Sequence, residues 1–148
     1  MRKLLMVVLA GVVLMAGCGK SDDTASNEPG GTTATTAHGG ATDTSCASQA
    51  STTVKVVAKN TSYDTACLAV PAGQSFTLTL DNEDNGLSHS LAILASHESS
   101  QVFASTGIFP GVKMQSVTVT PDKLPGKGTY HFHCEVHPDQ MNGTFIVT

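Results

Sequence analysis

From Val54 onward, short apolar–polar alternations punctuated by turn residues replace any helical period. This two-residue rhythm points to an all-β sandwich or barrel. Phe76, Leu78 and Leu80 alternate with Thr77 and Thr79, which gives one apolar and one polar face. Val54-Lys55-Val56 opens the series, and Leu68-Ala69-Val70 stops at the turn Pro71-Ala72-Gly73. After the polar loop from Asp81 to Gly86, Ser90 to Leu94 returns as a strand. Val117 and Val119 alternate with Ser116, Thr118 and Thr120, and Pro125-Gly126-Lys127-Gly128 turns into Tyr130-His131-Phe132-His133-Cys134. Gly143 to Thr148 supplies a last strand. The sum is an all-β chain of about seven or eight strands, spaced as in a Greek-key β-sandwich. Only Ala95 to Val112 lacks regular alternation and fits either a short helix or a loop.

The N-terminal part is built differently. Met1-Arg2-Lys3 is basic, Leu4 to Leu14 is apolar, and Met15-Ala16-Gly17-Cys18 follows. That is the layout of a secretory signal, too short for a membrane span. A cysteine after Ala16-Gly17 resembles the bacterial lipobox, with Met15 standing where that pattern usually has Leu. It implies cleavage after residue 17, lipid on Cys18 and an extracytoplasmic place on the bacterial cell membrane. The alternative is an ordinary cleaved signal with an incidental cysteine. Residues 18–51 are dominated by Thr, Ser, Gly, Ala and Asp, a composition that cannot bury a core and reads as a disordered, flexible tether. His38, within it, reads as a solvated linker residue. Residues 52–148 then form one small domain. The formal charge of -4, without a Lys/Arg cluster after the signal, argues against nucleic-acid binding. With no Trp and few aromatic residues, a large aromatic-lined substrate pocket is not expected.

Four cysteines remain to be placed: Cys18, Cys46, Cys67 and Cys134. With lipid on Cys18, three are left in an oxidising compartment and one stays unpaired. Cys46, at the end of the tether, and Cys67, just before Pro71, are the expected pair. The bridge would pin the tether to the domain edge. Cys134 is then the odd thiol, a liability outside the cell unless a metal holds it.

Its surroundings supply that metal site. Strand alternation places Cys134 on the inward face with Tyr130 and Phe132, while His131 and His133 face outward. As an i, i+2 pair those two histidines are either solvated or ligands for a surface divalent ion. His137 follows in a short loop held extended by Pro138, and Met141 stands just before the last strand. His89, at the end of the polar loop, is placed to complete the set from another strand. Two imidazoles and a thiolate with a weak axial thioether describe a type 1 blue-copper site, with one copper ion held by His89, Cys134, His137 and Met141. Structural zinc would call for paired C-x-x-C spacing, which is missing. His97 reads as a loop residue. Met114 fits either the apolar rim of the site or the core.

The segment Tyr130-x-Phe132-x-Cys134-x-x-His137-Pro138-x-x-Met141-x-Gly143 resembles the C-terminal ligand loop of the cupredoxins, the plastocyanin and amicyanin group. Val70-Pro71-Ala72-Gly73, Asn82-x-Asp84 and His89 resemble that family's N-terminal ligand region. The resemblance covers about Val54 to Val147 and implies a Greek-key β-sandwich with copper at one end, working in outer-sphere electron transfer. Ser90 follows His89 where many members have Asn tying the two ligand loops together. Gln140 falls where the shortest ligand loops have their methionine, so it competes with Met141 as the axial donor.

Three functions follow from these readings. In the first, a lipid-anchored monomer carries single electrons between redox partners, such as a c-type cytochrome or a copper oxidase. His137 would then face solvent within an apolar patch of Pro138, Leu87 and Phe109. The second is copper sequestration or delivery without redox turnover, and the third a non-redox interaction module. No catalytic role is expected, because protein donors fill all four coordination positions.

Overall fold

In β1 (Thr53–Lys59), Val54, Val56 and Ala58 are buried while Thr53, Lys55 and Lys59 are exposed, the alternation expected of a strand with one wet face. This computed structural model describes residues 43–148; the signal sequence, Cys18, His38 and most of the tether lie outside the described residues. The chain continues as β2 (Ser62–Tyr63), β3 (Cys67–Val70), β4 (Phe76–Asn82), β5 (Ser88–His89) and β6 (Ala92–Leu94). It closes with β7 (Val102–Ser105), β8 (Phe109–Pro110), β9 (Lys113–Val119), β10 (Gly128–His133) and β11 (Asn142–Val147). Among the described residues, helix is confined to single 3-10 turns at Ala47–Gln49 and Pro121–Lys123.

One sheet has the order β2-β1-β4-β9, the other β3-β11-β10-β6-β7, and β5 pairs with β8 apart from both. Neighbours in each sheet are mostly not neighbours in sequence, so the chain crosses repeatedly between sheets, as a Greek-key sandwich requires. β1 runs parallel to β4 and β3 parallel to β11, while β10–β11 and β4–β9 are antiparallel. The chain resolves into eleven short strands, more than the seven or eight the alternation suggests. The surplus comes from the two-residue strands β2, β5 and β8, too short to show alternation. The irregular span Ala95 to Val112 proves to hold β7 and β8, with no helix.

Between the sheets lie Val56, Leu78, Leu80, Ile93, Phe132 and Phe145, all fully buried. Burial of each such side chain stabilises the fold by roughly 1.5–3 kcal/mol. Cys134 and Met141 belong to the same apolar cluster, so the loop joining β10 to β11 is anchored in the core at both ends.

The folded part begins earlier than Thr52. Cys46 is bonded to Cys67 with their Cα atoms 5.7 Å apart, the pairing expected from cysteine parity. Cys46 and Ala47 pack on Ala69 and Ile146, and the Ser51 amide donates to the Ala69 carbonyl at 3.0 Å. Residues 43–51 thus lie on the outer face of the second sheet, where their small side chains find an apolar strip.

Candidate metal centre

Asn82 ends β4 pointing inward, and its fully buried amide organises the loop that delivers His89. Its Nδ2 donates to the carbonyls of Leu87 at 3.0 Å and Phe109 at 3.1 Å, and its Oδ1 accepts from the Asp84 amide at 3.1 Å. Gly111 closes against this turn, where a Cβ would collide with the Asp84 carbonyl oxygen. Held in this way, His89 enters the interior on β5 and is fully buried.

Asp84 completes the support of His89. Its Oδ2 accepts from His89 Nε2 at 2.9 Å, which leaves Nδ1 free to point the other way. Burial pushes the Asp84 carboxyl up, but hydrogen bonds from the Thr61 and Asn60 amides and from His89 outweigh it and hold the group below the usual carboxylate range. A carboxylate fixing the tautomer of a potential ligand is a recurrent feature of metal sites.

The second half comes from one closed loop. The Cys134 amide donates to the Met141 carbonyl at 2.8 Å, the His137 amide to the Cys134 carbonyl at 3.2 Å, and the Met141 amide to the His137 carbonyl at 3.0 Å. Alternation along β10 carries Phe132 and Cys134 inward, both fully buried. Cys134 is free, the remaining thiol among the described residues. Its Sγ lies 3.8 Å from His89 Nδ1 and 3.8 Å from His137 Nδ1, and accepts a hydrogen bond from the Ser90 amide at 3.4 Å.

These distances can be tested against a shared ion. Bonds of about 2.0 Å to imidazole nitrogen and about 2.3 Å to thiolate set two such donors about 3.7 Å apart at a near-trigonal angle. Both observed separations fit, and the candidate donor atoms of His89, Cys134 and His137 lie within 4.8 Å of one another. The structure therefore brings three of the four sequence-chosen residues together as a possible metal site. Met141 is fully buried in the same cluster as Cys134, whereas Gln140 is exposed.

Over residues 31–147 the chain matches the cupredoxin-like domain family. It is a cupredoxin. By sequence alone it has no significant match among curated proteins. By structure it is similar to a dithionite-reduced auracyanin from the photosynthetic bacterium Roseiflexus castenholzii, with TM-score 0.59 and 25% identity over 67% of this chain and 98% of that one. It also resembles auracyanin A, a "blue" copper protein from Chloroflexus aurantiacus, at TM-score 0.56 and 21% identity over 65% and 98% of the two chains. An azurin from Methylomonas sp. strain J gives TM-score 0.53 and 20% identity, over 65% of this chain and 97% of its own.

Two groups near the cupredoxin's centre were not singled out from sequence. Asp84 was visible only as part of a motif, although a carboxylate five residues before a candidate ligand histidine was the available signal. Tyr63 donates its hydroxyl to the Ser90 carbonyl; burial, then the nearby Cys134 and Glu135, push that hydroxyl far above its ordinary range. Phe109 corrects the expected docking patch: it is buried, paired with His89 across β5 and β8, and cannot face a partner. Met114 is exposed on β9 and takes no part in the core. His131 and His133 stand as the expected outward pair, and His97, expected to be a separate loop residue, joins them on the outer face of the second sheet.

Proposed function

We propose that this cupredoxin is a blue copper protein that carries single electrons outside the cytoplasm, tethered to the membrane by lipid on Cys18. The observation that carries the reading is the pair of equal 3.8 Å separations from Cys134 Sγ to the two imidazole Nδ1 atoms. Copper held by His89, Cys134 and His137, with Met141 as axial donor, would supply a one-electron couple between Cu(I) and Cu(II).

The chain's own groups act around that couple. His89 and Cys134 are buried and hydrogen-bonded, by Asp84 and by the Ser90 amide, so protein contacts fix where both side chains stand. Such preorganisation favours electron transfer, because little has to move when the charge changes. His137 is the half-exposed member of the set, and an incoming partner would meet it first. Of the large apolar side chains left exposed among the described residues, Leu87, Ile108, Val112 and Val136 all lie on segments that bracket the candidate ligands. That distribution supports an apolar docking rim for a c-type cytochrome or a copper oxidase.

The test is the visible spectrum and voltammetry of the full-length chain loaded with Cu(II). An intense thiolate-to-copper band with a reversible couple is expected, lost in Cys134→Ser and altered in His89→Ala. A colourless wild type sinks the proposal. Tight Cu(I) binding without a stable Cu(II) form would instead indicate copper storage or delivery.

A further inference from the structure

The candidate centre uses only two of the histidines in the described residues. The others gather on the opposite side of β10. His131 and His133 are two residues apart on one strand face, opposite Leu94 and Ala92 of β6. The chain leaving β6 brings His97 back over them. His97 Nδ1 lies 3.2 Å from His131 Nε2, with the ring centroids 4.9 Å apart and nearly perpendicular. The His133 ring stands 5.7 Å from that of His131, and its Nδ1, shielded from solvent, has no hydrogen-bond partner.

Two imidazole nitrogens bound to one tetrahedral ion at about 2.0 Å lie about 3.3 Å apart. The observed separation therefore suits either an imidazole–imidazole hydrogen bond or a shared cation. Two further features distinguish the cluster from a chance pair. The neighbouring His133 Nδ1 is shielded from solvent and lacks a hydrogen-bond partner, an unusual state for a polar atom. On the far side of His97, the exposed Glu98 carboxylate stands 3.9 Å from Nε2, beyond a hydrogen bond but close enough to add negative charge beside the pair.

We propose that His97 Nδ1 and His131 Nε2 form a two-imidazole metal site on the outer face of the sheet, for a borderline divalent ion of the zinc type, with His133 beside the pair rather than within reach of the same ion. The donor set decides the class. Imidazole nitrogens suit zinc, nickel and copper, while calcium and magnesium need a shell of oxygens that this face does not offer.

The experiment is a zinc chloride titration of the copper-loaded full-length chain, followed by calorimetry and by NMR of the imidazole ¹⁵N nuclei. Uptake of a further zinc ion is expected, with shifts of the His97 Nδ1 and His131 Nε2 resonances. Both the uptake and the shifts should be lost in His97→Ala and in His131→Gln, while the visible band stays unchanged. The same titration on Cys134→Ser, read at the same two nitrogens, makes the result independent of whether the buried centre takes copper. No zinc uptake by the wild type, or uptake that survives in His97→Ala, would overturn the site.

Discussion

Ser90 Oγ accepts a hydrogen bond from the Glu135 amide at 2.9 Å, and this contact fastens the loop carrying His89 to the loop carrying Cys134 and His137. Ser90 is fully buried, its amide reaches Cys134 Sγ, and its carbonyl is held by Tyr63, so the residue is fixed on three sides. Ser90 thus ties the two ligand-bearing loops together in this chain. Ser90→Ala removes only the Oγ contact. A loss of about 1 kcal/mol in denaturant unfolding is expected, with faster release of the bound metal. Unchanged stability together with unchanged metal release would show that the loops are held together elsewhere.

Asp84 places a negative charge 2.9 Å from His89 Nε2. A charge so placed favours the oxidised, more positive form of a metal bound at Nδ1. Asp84→Asn retains a similar shape and loses the charge. Metal affinity should fall about 10–100-fold, and the reduction potential should rise. Voltammetry and competition with a chelator read both quantities; a lower potential in the variant would contradict the assigned role.

Gly143 has no room for a side chain. A Cβ there would press on the Ala66 carbonyl oxygen and stand 2.5 Å from the Phe132 ring. The Phe132 ring is fully buried and the Ala66 carbonyl is tied to the Thr144 amide, so Gly143→Ala must shift β11 or the ring. A loss of about 1–3 kcal/mol is expected from overpacking, with weaker metal retention because Met141 lies two residues away. Thermal unfolding with and without metal checks this, and a variant as stable as the wild type would mean that β11 yields easily.

Much of this arrangement was legible in the sequence because strand alternation and loop length act locally. Tyr130, Phe132 and Cys134 share a face as their spacing dictates, and the short span from Cys134 to Met141 can only fold back on itself. Other features depend on pairings that sequence spacing does not encode. Phe109 sits in an irregular stretch, and its burial follows from the pairing of β8 with β5 in space. The contact of His97 with His131 depends on how the chain turns between β6 and β7. Asp84 reaches His89 only because Asn82 and the Asn60 and Thr61 amides orient its loop.

The Cys46–Cys67 bridge attaches residues 43–51 to the second sheet, in an apolar cluster separate from the one that holds Cys134 and Met141. It closes a loop over a sequence separation of 21, for which restriction of the unfolded chain gives about 3 kcal/mol. Replacing both cysteines with serine should lower the unfolding free energy by about that amount. The visible spectrum of the copper-loaded chain should not change. A changed spectrum would show that the bridge helps shape the centre.

His131 gives the outer sheet face its pH dependence. Burial, with His97 and His133 beside it, lowers its pKa from the ordinary 6.5 to about 4. His133 is also lowered, mainly by burial, although Glu135 opposes the shift. Glu98, beside His97, is the other charged group at this face. Because the folded-state pKa of His131 lies below its unfolded value, the unfolded chain binds more protons between these values. Stability must therefore fall as pH drops from about 6.5 toward about 4, and the penalty is complete below the lower value. In the presence of a chelator, denaturant unfolding across that window should show a slope that shrinks in His131→Gln. Equal slopes in the two proteins would place the acid sensitivity on another group.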